Sequence, residues 1–157
     1  MINRELIRNK VVQLTYAYYQ NGSKNIDSAE KELFFSLSKA YDLYNHLLSL
    51  MAAVSKEAQR HLEVAQSRAR REGTETPSTK FAYNRFAMQL AENRMLNEFI
   101  QTQKKTWNDE PEFIKKLYLQ ITESQIYADY IASSEDSYND DRELWRKLYK
   151  ALIQDND

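Results

Sequence analysis

Residues 27–71 read DSAEKELFFSLSKAYDLYNHLLSLMAAVSKEAQRHLEVAQSRARR and contain neither glycine nor proline. Apolar residues recur through this stretch at spacings of three and four, the period of one face of an α-helix. The members of this stripe are Leu33, Leu37, Tyr41, Tyr44, Leu48, Met51, Ala58, Leu62 and Ala65. Asp27 and Glu30 form a capping-box pattern at its start. The stretch therefore predicts one long helix of about 45 residues, and residues 53–55 are the candidate position for a kink in it.

The whole chain shows the same scarcity of chain-turning residues. It has 157 residues but only 2 glycines and 2 prolines, whereas average usage would give about 11 and about 8. Turn-rich β folds need many residues that accept positive φ, and glycine-rich phosphate loops need clustered glycines. Both are excluded, and we predict an all-α protein: an antiparallel bundle of about five helices in a single domain over residues 1–157.

The few glycines and prolines mark the expected joints between helices. The first helix is predicted over residues 4–20, and Gly22 ends it. A loop over residues 73–80 follows the long second helix. The remaining predicted helices are 81–104, one that begins at 108–111 with a break at 122–124, and 139–154.

Composition also limits the function. The formal net charge is -1 and cysteine is absent, so disulfides and thiolate metal sites are excluded. No apolar run is long enough for a signal peptide or a membrane span, and we expect a cytoplasmic protein without membrane contact. His46 and His61 do not have metal-ligand spacing, and Asp140–Asp141 is better read as a helix cap than as a catalytic pair. We therefore predict no enzyme, no metal and no cofactor.

Basic residues at the start of the first helix are the main functional signal. Arg4, Arg8 and Lys10 stand against a single acid, Glu5. At about 100° per residue, Arg4 and Arg8 share a helical stripe with Tyr19. Guanidinium groups beside an exposed tyrosine can bind RNA phosphates and stack a base. The alternative is an ordinary helix whose arginines extend to water beside its apolar face.

Residues 8–20, RNKVVQLTYAYYQ, resemble the opening helix of NusB, the bacterial transcription antitermination family. That helix begins with an arginine-rich segment and continues into a Gln-x-x-Tyr-x-aromatic signature. Here Arg8 matches the typical arginine, Gln13 the glutamine, Tyr16 the tyrosine and Tyr18 the aromatic residue. Residues 34–41 and 142–149 look like the long NusB type of Bacteroidetes, in which extra helices separate the first helix from the conserved core.

The resemblance implies an all-helical, non-enzymatic factor that binds the boxA element of nascent RNA. Its partners would be the small-subunit ribosomal protein ten (also called NusE) and the transcription elongation complex. By position, Arg4 and Arg8 would contact phosphates or base edges, and Lys10 would add positive charge. Gln13, Tyr16 and Tyr18 would support the helix and the partner surface.

Two departures from the family pattern shape the expectations. Glu5 and Leu6 occupy positions where many relatives have arginine, so RNA binding should be weaker than in those relatives. The later half of the family pattern is absent, and we therefore expect the chain to be the N-terminal part of a longer protein. The alternative function is a helical protein–protein interaction module in which the basic stripe is incidental.

Overall fold

The computed structural model describes residues 4–22 and 25–154, and these contain helices and connecting segments but no strand. The prediction of an all-α protein is confirmed. Seven α-helices lie in the described residues: α1 Arg4–Gln20, α2 Ile26–Glu72, α3 Arg85–Glu92, α4 Arg94–Thr102, α5 Pro111–Thr122, α6 Gln125–Ala132 and α7 Tyr138–Leu148. A 3-10 turn, Trp107–Asp109, precedes α5, and a π-helical segment, Tyr149–Ile153, follows α7.

The chain divides into two compact units, residues 1–47 and residues 48–157, and the division falls within α2. The first unit contains α1 and the beginning of α2. The second contains the rest of α2 and all later helices. A single domain over residues 1–157 stays a prediction.

The long second helix is present, with one additional residue at each predicted end. It continues through 53–55 without interruption. Val54 is fully buried there, and the buried Ser55 hydroxyl donates a hydrogen bond of 3.1 Å to the backbone carbonyl of Ala82. Because Ser55 bonds outside its own helix, it does not compete for the helical carbonyls of the preceding turn.

The prediction of one helix over residues 81–104 is wrong, because two asparagines divide this region. The side chain of Asn84 accepts a 3.0 Å hydrogen bond from the backbone N–H of Ala87 and starts α3. The side chain of Asn93 accepts a 2.9 Å bond from the N–H of Leu96 and starts α4. Asparagine is a favoured helix N-cap because it satisfies an N–H that the first turn leaves unpaired.

The break predicted at 122–124 is confirmed. Thr122 ends α5, and the hydroxyl of Ser124 then accepts a 3.2 Å hydrogen bond from the N–H of Tyr127, which starts α6. At the other end of α5, Pro111 stands at its first position, where the missing N–H has no helical partner to lose.

The prediction of a last helix over residues 139–154 is only partly correct. Ser137 caps α7 by accepting a 3.1 Å bond from the N–H of Asp140, and α-helical geometry ends at Leu148. Five residues of π-helix follow. Asp140 and Asp141 lie in the first turn of α7, where negative charge complements the helix dipole.

The hydrophobic core lies in the second unit. Side chains from the later part of α2, from residues 81–87 and from α5, α6 and α7 meet there. Its buried members are Leu50, Met51, Val54, Ala58, Leu62, Phe81, Ala82, Ala87, Ile114, Leu117, Ile121, Tyr130, Leu144, Trp145 and Leu148. Trp145 is the largest of the fully buried side chains, at 1% exposure.

A buried polar network runs through this core. Asn84, at 0% exposure, accepts a 3.1 Å hydrogen bond from the indole N–H of Trp145. Its amide nitrogen lies 3.3 Å from the Tyr130 hydroxyl and 3.2 Å from the carbonyl of Asp141. The Tyr130 hydroxyl donates to the carboxylate of Asp141, which also accepts from the N–H of Arg85 at 2.9 Å. The network joins residues 84–85 to α6 and α7.

Lys80 connects α6 and the segment that follows it to residues 80–85 beside the buried network. Its ammonium donates hydrogen bonds to the carbonyls of Tyr130 at 2.8 Å and Glu135 at 2.6 Å. It also lies 4.2 Å from the centre of the Tyr130 ring, within the range of a cation–π contact. Lys80 therefore has a structural role in the second unit.

Replacing Tyr130 by phenylalanine should change how stability depends on alkaline pH. Burial first, and then the hydrogen bond to Asp141, raise the pKa of Tyr130 above its usual 10.0. The folded protein thus keeps a proton that the unfolded chain releases near pH 10. The contribution of Tyr130 to the free energy of unfolding is therefore complete below that pH and falls above it. We expect Tyr130→Phe to lose about 1–2 kcal/mol at neutral pH through the missing hydrogen bond.

Urea unfolding of both proteins at neutral pH and at several pH values above 10 measures this effect. Burial also raises the pKa values of Tyr118 and Tyr127. The free energy of unfolding of Tyr130→Phe should therefore still decrease with pH in this range, but less steeply than that of the wild-type protein. An identical slope in the two proteins would contradict the role given to Tyr130.

Candidate nucleic-acid interface

The predicted RNA-binding residues lie on an accessible helix. No side chain of α1 is buried. Arg4 and Arg8 are exposed, and Lys10 is half-buried. In the part of the chain that the structure describes, none of the three has an acidic group within ion-pair distance. None of the three is therefore held in an ion pair within the described residues.

α1 and the beginning of α2 form a helical hairpin. Gly22 follows α1 with a φ of 60°, in the left-handed region that favours glycine after a helix end. The predicted helix stop at Gly22 is thus confirmed. A groove of about 370 Å³ runs between the two helices; it is lined by Val11, Leu14, Thr15, Tyr18, Tyr19, Ile26, Ala29, Glu30 and Leu33.

The residues predicted to support the helix and its partner surface lie in different surroundings. Tyr18 is half-buried, lines the groove and packs edge-to-face against Tyr19 with ring centres 5.6 Å apart. Gln13 is exposed. Tyr16 is 66% exposed, and its hydroxyl accepts a 3.1 Å hydrogen bond from Gln20. Of the three, only Tyr18 contributes to the hairpin groove.

Two tyrosines on α2 belong to the exposed surface although the sequence pattern placed them on an apolar stripe. Tyr41 and Tyr44 are 43% and 45% exposed, and their rings stack with centres 6.5 Å apart. A signal was available in the residue type. Tyrosine carries a hydroxyl and is common where one end of a ring meets water, whereas leucine at the same position favours full burial.

Titratable groups in the second unit form a compact cluster on α2. Glu57, at 7% exposure, accepts a hydrogen bond from Arg60, and its carboxylate lies 3.2 Å from His61. The His61 ring stacks on Tyr118 at 4.7 Å between centres. The carboxylate is thus paired on two sides. Within residues 4–22 and 25–154, no three His, Cys, Asp or Glu side chains are grouped so that they could hold a metal ion.

Comparisons with known proteins add no assignment: the chain matches no protein-family model, no curated protein and no solved structure. Among the helices of the described residues, none combines the length and apolar character needed to cross a membrane. The function therefore has to be argued from the residues and their geometry.

Proposed function

We propose that this protein is a non-enzymatic RNA-binding factor of the NusB antitermination type that binds boxA-type RNA in nascent transcripts through α1. The observation that carries the proposal is the exposure of Arg4 and Arg8 on one stripe, without acidic partners in the described residues. The class of RNA comes from the resemblance of residues 8–20 to the NusB opening helix.

Binding a phosphate costs less for an arginine that has no ion pair to break. An arginine held by a carboxylate must give up that ion pair before it can bind a phosphate, whereas Arg4 and Arg8 have no such pair in the described chain. They lie one helical turn apart, about 6 Å along the axis. A rigid helix therefore places the two guanidinium groups where they can bind two phosphates along an RNA strand.

The proposal includes ribosomal protein ten (NusE) and the transcription elongation complex as protein partners. Besides the resemblance, the exposed apolar side chains of α1 support it. Val12 is 67% exposed and Tyr16 is 66% exposed, and apolar and aromatic side chains of this kind are often covered at protein interfaces.

Arginine substitutions test the RNA role directly. We expect boxA-type RNA to bind with a salt dependence that corresponds to about two or three phosphate contacts. Arg4→Ala and Arg8→Ala should each weaken binding, and the double variant should lower the slope of log K against log salt by about 1.4, at about 0.7 per phosphate on a single strand. Fluorescence anisotropy at several salt concentrations measures both quantities.

Arg94→Ala is the matched control. Arg94 is also an exposed arginine on a helix, but Glu98 holds it at 2.7 Å, so its removal should leave RNA affinity unchanged. An absence of RNA binding at low salt, even with ribosomal protein ten present, would overturn the proposed function.

A second candidate, a protein–protein interaction module without RNA binding, is favoured by one observation. Large apolar side chains of the first unit are more than half exposed, among them Phe34, Phe35 and Leu43. If this candidate is correct, serine substitutions at these positions should abolish capture of ribosomal protein ten. Neither the wild-type protein nor the arginine variants should then bind RNA.

A further inference from the structure

The apolar groove of the hairpin is open to solvent. Among the residues that line it, Tyr19 is 75% exposed, Ile26 is 71% exposed and Val11 is 41% exposed. None of the described side chains of α1 is buried, although helices in proteins gain most of their stability by packing an apolar face against another element. The groove is therefore a surface that a further element should cover.

The charges of the hairpin are divided between its two ends. Residues 4–10, at the start of α1, carry three basic side chains and one acid, whereas residues 26–32, at the start of α2, carry three acids and one basic side chain. Glu30 belongs to the acidic end and lines the groove. In the part of the chain that the structure describes, Glu30 has no basic group within ion-pair distance. The groove thus calls for an occupant that brings both an apolar face and a cation.

The positions of Arg8 and Glu30 match across a two-fold axis. Arg8 stands eleven residues, about three full turns, before Tyr19, which lines the groove, so it lies on the groove side of α1. Val11 and Leu33 line the same end of the groove. Arg8 lies three residues before Val11 and Glu30 three residues before Leu33, which are steps of about 4.5 Å in opposite directions because the helices are antiparallel. A two-fold axis at the level of Val11 and Leu33 therefore brings Arg8 level with Glu30 of a second copy.

The face that carries the groove is large enough for a specific dimer. α1 has 17 residues, so the face is about 25 Å long, and two adjacent helices make it about 20 Å wide. Pairing it with the same face of a second copy covers about 500 Å² on each copy and about 1,000 Å² in total, the lower end for a specific interface. We therefore expect a dimer with a micromolar Kd rather than a permanent one.

We propose that the hairpin docks groove to groove with the hairpin of a second copy of this chain, in an antiparallel four-helix arrangement that pairs Arg8 with Glu30 of the second copy. A second copy supplies both the apolar face and the cation, at the matching spacing, and the pairing closes on itself through the two-fold axis. The inference goes beyond the proposed function and does not depend on RNA. Because Arg8 cannot hold Glu30 and a phosphate at the same time, RNA bound at Arg8 should favour the monomer.

Sedimentation equilibrium of the full chain without RNA tests for the dimer. The wild-type protein should associate at micromolar concentrations, and added salt should weaken the association because it screens the two symmetric ion pairs. Tyr19→Ser with Ile26→Ser should raise the Kd by about tenfold or more, because two apolar side chains of each copy leave the interface. Both side chains are exposed in the single chain, so the helical circular-dichroism signal should be unchanged.

A charge exchange tests the pairing itself. Arg8→Glu and Glu30→Arg each place like charges opposite one another and should each raise the Kd by about tenfold. The double variant, Arg8→Glu with Glu30→Arg, restores opposite charges and should regain the wild-type association. Glu32→Arg is the matched control: Glu32 is also an exposed acid of α2, but it lies about 200° round the helix from Glu30, so its effect on the Kd should be small.

The outcomes separate this inference from the proposed function. A wild-type protein that stays monomeric at low salt overturns the inference and leaves the proposed function standing. A dimer that the charge exchange does not restore, or that Glu32→Arg weakens as much as Glu30→Arg, also overturns it. If ribosomal protein ten occupies the groove instead, the wild-type protein stays monomeric and Tyr19→Ser with Ile26→Ser abolishes its capture. If the dimer forms as described and no RNA binds, the proposed function alone falls.

Discussion

Trp145→Ala is expected to lower the free energy of unfolding of the 48–157 unit by about 3–5 kcal/mol, the usual cost of removing a large buried aromatic side chain. The Trp145 side chain is 1% exposed, and its ring lies 5.8 Å from that of Phe81. Its indole N–H also bonds to Asn84. Because single domains are stable by only about 5–15 kcal/mol, this substitution should leave the unit marginally folded.

Urea unfolding followed by circular dichroism measures the loss, and Trp107→Ala is its control. Trp107 is half-buried and stacks on Phe113 at 5.6 Å, so we expect a loss of about 1 kcal/mol. The chain has 2 tryptophans, and the fluorescence of Trp107→Ala therefore reports Trp145 alone. Equal losses in the two variants would contradict the central place of Trp145 in the core.

Asn84→Ala should be the second most damaging substitution, with an expected loss of about 3 kcal/mol. It removes the N-cap of α3, worth about 1 kcal/mol. It also leaves the indole N–H of Trp145 without its Asn84 partner inside the core, and a buried polar group left unpaired costs about 1–3 kcal/mol.

Asn93→Ala separates these two contributions. Asn93 caps α4 in the same way, but it is exposed, so its removal should cost only the cap, about 1 kcal/mol. The difference between the two variants then measures the buried network. If Asn84→Ala and Asn93→Ala cost the same, the network contributes little and the cap explains both.

Most helix boundaries could be predicted because their causes are local. α1 is found over the predicted residues, and α2 differs by one residue at each end. Apolar spacing and the scarcity of glycine fix these two helices without reference to the rest of the chain. The division at Asn93 was missed because asparagine occurs inside helices as well as at their starts. Its side chain caps a helix only where the backbone leaves a nearby N–H unpaired, and the sequence alone does not show where that happens.

The sequence predicted only the part of the candidate site that depends on local features. The charges of Arg4 and Arg8 and their common stripe follow from α1 alone. The exposure of Tyr41 and Tyr44 does not follow from the sequence, because it depends on which elements pack over this part of α2. Helical period could place both tyrosines on a stripe, but it could not tell whether that stripe is covered.

The helical character of the protein, the course of its long helix and the basic end of α1 can all be predicted from sequence, since each depends on residues within a few turns of one another. Burial along the α2 stripe depends instead on how distant elements pack. Tyr44 and Met51 belong to the same apolar pattern, yet Tyr44 is 45% exposed and Met51 only 9%. These two side chains differ because an apolar side chain leaves water only where another element packs over it.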